Sequence, residues 1–83
     1  MSKFNQNPNI AVIGLGYVGL PLAIHLSLHF QVLGFDVDKQ RIKELRRNYD
    51  KTGEHNPTTL KNAQYSLSSN PKDITNCNTY IIT

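Results

Sequence analysis

Three glycines in the spacing G-x-G-x-x-G, Gly14-Leu15-Gly16-Tyr17-Val18-Gly19, are followed by an acid, Asp36, twenty residues after Gly16. Glycines cluster in many turns, so the hexapeptide alone is weak evidence. Its context is informative, because it follows the apolar run Ile10-Ala11-Val12-Ile13, opens a segment with helical character, and is answered by Asp36 at the end of a second apolar run. Each part has a physical task. Gly14 permits a tight turn, Gly16 lets backbone approach a pyrophosphate, and Gly19 lets a helix pack closely on a strand. Unpaired amides at the helix start would face the phosphates. Asp36 would accept hydrogen bonds from ribose hydroxyls and repel a 2′-phosphate, so the chemistry is dinucleotide binding with NAD favoured over NADP.

Other reactive side chains add little. Arg41 lies five residues beyond Asp36 and reads equally as a ribose contact or as surface charge. His25 and His29 are one helical turn apart with no third ligand at hand, so they read as surface or packing residues and no metal site is expected. Cys77 reads as a structural thiol. No acid, base or nucleophile constellation is visible, so no catalytic residue is assigned to these positions.

The elements that must position the glycine turn follow from patterning. Ile10 to Ile13 has no polar interruption, as expected of a strand buried on both faces of a parallel sheet. Leu20 to Phe30 reads as a helix with Pro21 in its first turn, where a missing N–H costs nothing. Val32 to Phe35 is a second strand, and Asp38 caps a helix reaching about Asn48, with Ile42 and Leu45 inward. Tyr49 to Pro57 is a polar loop with a shape of its own, followed by a helical turn at Thr58 to Asn62. Tyr65 to Ser68 is a weaker third strand, Asn70-Pro71 starts another helical turn, and Thr79 to Thr83 is a fourth strand.

This alternation predicts an α/β fold, a partial doubly wound parallel sheet of Rossmann type. Right-handed crossovers give the strand order 3-2-1-4, truncated after the fourth strand. The expected organisation is a flexible lead over 1–9 and the N-terminal part of a dinucleotide-binding domain over 10–83. An open edge at Tyr80-Ile81-Ile82 would invite pairing with another chain, so a homo-oligomer is expected.

Composition sets the outer bounds. Eighty-three residues hold one domain, which excludes a large enzyme with its own substrate domain. The longest apolar run is interrupted by His25, Ser27 and His29, so no membrane span is expected. The start, Met1 to Asn7, lacks an apolar signal core, and a single cysteine cannot form an intramolecular disulfide; both fit a cytoplasmic protein. Of nine basic residues, Lys39, Arg41, Lys43, Arg46 and Arg47 fall in nine positions, which describes one solvated helix face rather than a nucleic-acid site.

With the glycine turn and Asp36 in place, the sequence resembles the NAD-binding N-terminus of the UDP-glucose/GDP-mannose dehydrogenase family. Ile10 to Ala23 is close to the family's opening signature, and Tyr17-Val18-Gly19-Leu20-Pro21 is far more specific than the bare glycine pattern. Gly34 to Asp38 and the loop Tyr49 to Glu54 look most like the branch that oxidises UDP-N-acetylhexosamines for surface polysaccharides. The resemblance implies NAD contacts from Gly14, Gly16, Tyr17, Val18, Gly19, Asp36 and Arg41, with Thr83 beside the nicotinamide. It further implies oxidation of a UDP-sugar C6 alcohol to a carboxylate in two hydride transfers, through a cysteine of a later domain that has no counterpart here. Cys77 matches no catalytic position. The competing readings are a regulatory NAD-sensing module of a channel or transporter, and another Rossmann dehydrogenase such as a hydroxyacid type.

Overall fold

The computed structural model describes residues 8–83. Four strands, β1 (Asn9–Ile13), β2 (Gln31–Phe35), β3 (Ser66–Ser68) and β4 (Thr79–Ile82), form one sheet in the order β3-β2-β1-β4. Every pairing is parallel, with Ile10 opposite Val32 on one side and Thr79 on the other. The predicted strand order is therefore the one observed. Two helices, α1 (Gly19–Leu26) and α2 (Lys39–Arg46), connect β1 to β2 and lead away from β2; α3 (Pro57–Asn62) and a 3₁₀ turn (Pro71–Asn76) complete the connections.

The central strand is buried as its sequence demands, with Ile10, Ala11 and Val12 at most 5% exposed. Ile10, Val12 and Val32 pack with Leu15, Leu20 and Ala23 and with Ile42, Leu45 and Leu60 to form one core. Leu15 belongs to the glycine turn yet is fully buried, so the turn is anchored in the core by its own side chain.

Boundaries depart from the sequence reading where side chains compete for backbone bonds. α1 ends at Leu26 rather than Phe30, because the Ser27 hydroxyl donates to the Ile24 carbonyl at 2.6 Å and the next turns tighten to Leu28 N–H on His25 O and His29 N–H on Leu26 O. Asp38 caps α2 as expected, accepting the N–H groups of Gln40 and Arg41. The helix stops at Arg46, two residues short, in a Schellman closure: Asn48 adopts φ +60°, its N–H bonds Leu45 O, and Tyr49 N–H bonds Glu44 O. This closure turns the chain back beneath α2. Asn9, assigned from sequence to the lead, opens β1 opposite Gln31, and residues 1–7 of that lead lie outside the described residues. β4 is an edge strand, with Tyr80 49% and Ile82 79% exposed. Among the described residues no helix is long and apolar enough to cross a membrane.

Candidate dinucleotide site

The chain reverses its direction of travel across the sheet at β1, since β2 and β3 lie on one side of it and β4 on the other. In doubly wound sheets the crevice at such a switch point, at the carboxyl ends of the strands, receives the ligand. The carboxyl ends here carry Gly14, Asp36 and Thr83. Gly14 N–H extends the β1–β2 ladder onto Phe35 O at 2.8 Å, and Thr83 N–H extends the β1–β4 ladder onto Ile13 O at 2.9 Å. Thr83 Oγ1 donates to Gly14 O at 2.7 Å, which ties the end of β4 to the glycine turn.

The three glycines are used differently. Gly14 has φ +99°, and a Cβ there would stand 2.9 Å from Thr83 O. At Gly19 a Cβ would fall 1.6 Å from Gly14 O, so helix and turn touch through the missing side chain. A Cβ at Gly16 would meet nothing within 4 Å. The first and third glycines thus serve the fold, and open space lies over the second. The start of α1 has no side-chain cap, whereas α2, α3 and the 3₁₀ turn are capped by Asp38, Asn56 and Asn70. Tyr17 and Val18, at that uncapped start, are 69% and 68% exposed. Amides there are placed for an anion.

Asp36 holds the turn from the other side. Its Oδ2 accepts Leu15 N–H and its Oδ1 accepts Asp38 N–H, both at 2.9 Å. A carboxylate has about four acceptor positions, so each oxygen keeps capacity for a ribose hydroxyl. Open space at Gly16, an uncapped helix start and a partly free carboxylate fit a dinucleotide. When bound, NAD would accept hydride; Gly16, the α1 start and Asp36 are the groups that would bind and orient it.

Profile comparison matches residues 8–83 to the UDP-glucose/GDP-mannose dehydrogenase family, NAD binding domain. The chain belongs to this family. It is 47% identical over 77 residues to protein CapL of Staphylococcus aureus, covering 93% of this chain and 18% of that protein. It is 49% identical over 75 residues to the UDP-N-acetyl-D-glucosamine 6-dehydrogenase of Salmonella typhi, covering 89% and 18%. The solved UDP-D-ManNAc dehydrogenase of Pyrococcus horikoshii superposes with a TM-score of 0.78 at 29% identity, over 89% of this chain and 19% of that one. The chain therefore spans about a fifth of the length of these relatives. As an NAD-binding domain of this dehydrogenase family, it departs from both competing readings of the sequence.

Of the two sequence readings of Arg41, burial excludes one. Its neighbours Lys39, Lys43, Arg46 and Arg47 are exposed, but Arg41 is 4% exposed, so the surface-charge alternative is wrong. Its Nε donates to Leu15 O and its Nη1 to Asp50 Oδ1, each at 2.8 Å. Asp50, whose side chain is fully buried, also accepts Thr52 N–H and Oγ1–H on Oδ1, and His55 N–H on Oδ2, with His55 Nδ1 3.0 Å away. Charge complementarity places the proton on that ring nitrogen, since an ionised carboxylate only accepts. Sequence reasoning placed the loop but missed this role. The available signal was an acid two residues past an Asn helix stop, with Thr52 two further on in an Asx-type spacing.

Burial acts to raise the Asp50 carboxyl, but the bonds from Arg41, Thr52 and His55 outweigh it and hold the group well below the usual carboxylate range. A carboxyl depressed on folding adds stability that is complete above its unfolded value of about 4 and is lost as pH falls through its folded value. Thermal melts taken from about pH 5 to about pH 3 should therefore fall steeply in the native chain and more gently in Asp50→Asn. Parallel slopes would contradict the assignment.

The remaining candidates stay apart from the turn. Burial pushes the half-buried Cys77 thiol up, the reverse of what a nucleophile needs. His25 and His29 meet edge to face, 6.1 Å between ring centres. Among the described residues no group of three or more metal-ligating side chains gathers. A cavity of about 530 Å³ opens beside Asn9, Gln31, Ser66 and Cys77, at the amino ends of the strands. It lies at the opposite end from the switch-point crevice.

Proposed function

We propose that this chain holds NAD for a UDP-N-acetylhexosamine 6-dehydrogenase that oxidises the sugar C6 alcohol to a carboxylate in two hydride transfers. The carrying observation is the switch-point crevice, in which the Gly16 approach is open, the α1 start is uncapped and Asp36 retains acceptor capacity. Gly16, Tyr17 and Val18 cradle the pyrophosphate on a turn that Gly14 and Gly19 shape, Asp36 receives the adenosine ribose, and Arg41 supports that end from beneath. Thr83, fixed on Gly14 O, stands on the nicotinamide side. The choice of sugar rests on relatives from Pseudomonas aeruginosa and Salmonella typhi, named UDP-N-acetyl-D-glucosamine 6-dehydrogenases, at 45% and 49% identity.

Alcohol, water and two NAD yield carboxylate, two NADH and protons, and the groups that move protons and hold the sugar belong to other parts of the enzyme. A single thiol suits a reducing, cytoplasmic setting for this reaction. The test is NADH formation by the enzyme carrying this chain, supplied in turn with UDP-N-acetylglucosamine, UDP-N-acetylmannosamine and UDP-glucose. Two NADH per N-acetylhexosamine oxidised is the expected result. Oxidation of UDP-glucose alone, or no NADH from any of the three, would refute the proposal.

A further inference from the structure

Leu15, the residue before Gly16, is held on three sides. Leu15 N–H is bonded to Asp36, the Leu15 side chain is locked in the core, and Leu15 O receives Arg41 Nε. A trans peptide is planar with its C=O and N–H opposed. Fixing Leu15 O toward Arg41 therefore directs Gly16 N–H to the other side. On the Gly16 side steric resistance to rotation of that peptide is slight, since Gly16 has no Cβ and a Cβ built there would meet no atom within 4 Å.

Arg41 depends in turn on Asp50. Its third nitrogen, Nη2, is buried with no partner among the described residues, so the guanidinium is gripped by Leu15 O through Nε and by Asp50 through Nη1. Asp50 is itself immobilised by Thr52 and His55. Its position follows from the Schellman closure at Asn48, which returns the chain beneath α2.

We infer that Asp50 is a positioning residue for the dinucleotide site, holding Arg41 so that the Leu15–Gly16 peptide presents one fixed face to the pyrophosphate. The inference rests on the reading that the glycine turn holds NAD. Asp50 touches no part of the cofactor itself; it acts through Arg41 on a carbonyl next to the glycine that must admit the phosphates. The loop 49–56 thereby becomes part of the cofactor site although it lies outside the glycine motif.

The experiment compares the chain with Asp50→Asn and Asp50→Ala, the asparagine keeping the shape of the site should the alanine variant fail to fold. Two quantities are read: the Gly16 amide resonance without ligand, and the dissociation constant for NAD by calorimetry. Loss of the charged bond should weaken NAD by about tenfold or more. The Gly16 resonance should shift or broaden, while those of Val12 and Val32 in the sheet stay in place. A merely structural role would lower the melting temperature and leave Gly16 where it was. An unmoved Gly16 resonance, or a shifted one with NAD affinity unchanged within about twofold, would overturn the inference. Failure of the unmutated chain to bind NAD would instead count against the reading of function, and the ligand-free Gly16 resonance would still decide whether Asp50 sets the peptide.

Discussion

Gly19→Ala should strongly destabilise the chain, whereas Gly16→Ala should leave the fold nearly untouched. The two substitutions add the same methyl group to the same turn, and their surroundings separate them. At position 19 the new carbon would lie 1.6 Å from Gly14 O and 2.6 Å from Thr83 Oγ1, inside backbone that cannot retreat without opening the β1–β4 edge. Overpacking typically costs about 1–3 kcal/mol and exceeds that when backbone must move, so about 3 kcal/mol or more is expected. A domain of this length has roughly 4–12 kcal/mol in all, at about 0.05–0.15 kcal/mol per residue. With about 4–8 °C lost per kcal/mol, the melting temperature should fall by about 12 °C or more. At position 16 no atom lies within 4 Å, so melting should change by only a few degrees, about 1 kcal/mol at most. NAD affinity should nonetheless drop, because the methyl group occupies the approach of the pyrophosphate. Similar melting temperatures for the two variants would contradict this division of labour.

Arg41→Ala carries the second large effect. Removing one partner of a buried ion pair strands the other, and the Asp50 side chain has no exposure through which water could replace the guanidinium. Losses of about 3–5 kcal/mol are expected for such a truncation. Asp50→Ala alone should also destabilise, since it leaves the Arg41 charge buried with Nη2 already unpartnered. The double variant should be less damaged than the sum of the two, because no uncompensated charge remains. Urea unfolding of the four proteins measures this coupling. Strict additivity would mean that the pair acts as two independent contacts.

The fold was largely legible in the sequence because local signals and the global pattern agreed. Ile10 to Ile13 reads as a doubly buried strand and is buried over Ile10 to Val12, Asp38 reads as a cap and accepts two amides, and the alternation of elements predicts the strand order observed. Gly14 and Gly19 were assigned to turn and close packing, and the Cβ contacts bear out both. Helix ends were less legible. The end of α1 depends on the Ser27 hydroxyl, and that of α2 on an Asn adopting positive φ, both decided by side-chain hydrogen bonds that periodicity does not see.

Arg41 was hidden for a different reason. Within a run of five basic residues it looks like its neighbours, and only the return of the chain at Asn48 brings Asp50 beneath it. Tyr65 belongs to the same buried neighbourhood. Burial pushes its hydroxyl up, with the Arg41 charge acting to lower it and Asp50 to raise it. Such a cluster joins residues 41, 50 and 65 through tertiary geometry, and no spacing rule connects them.

The most direct test of the central claim is calorimetric titration of the chain with NAD and NADP side by side, repeated for Asp36→Asn. If the crevice at β1 and β4 is the cofactor site and Asp36 faces the ribose, NAD should bind saturably and at least about tenfold more tightly than NADP, a difference of about 1.4 kcal/mol. Asp36→Asn should narrow that gap, because the charge that repels a 2′-phosphate is gone. Equal affinity for the two nucleotides, or a preference for NAD that survives Asp36→Asn undiminished, would contradict the placement of the ribose at Asp36.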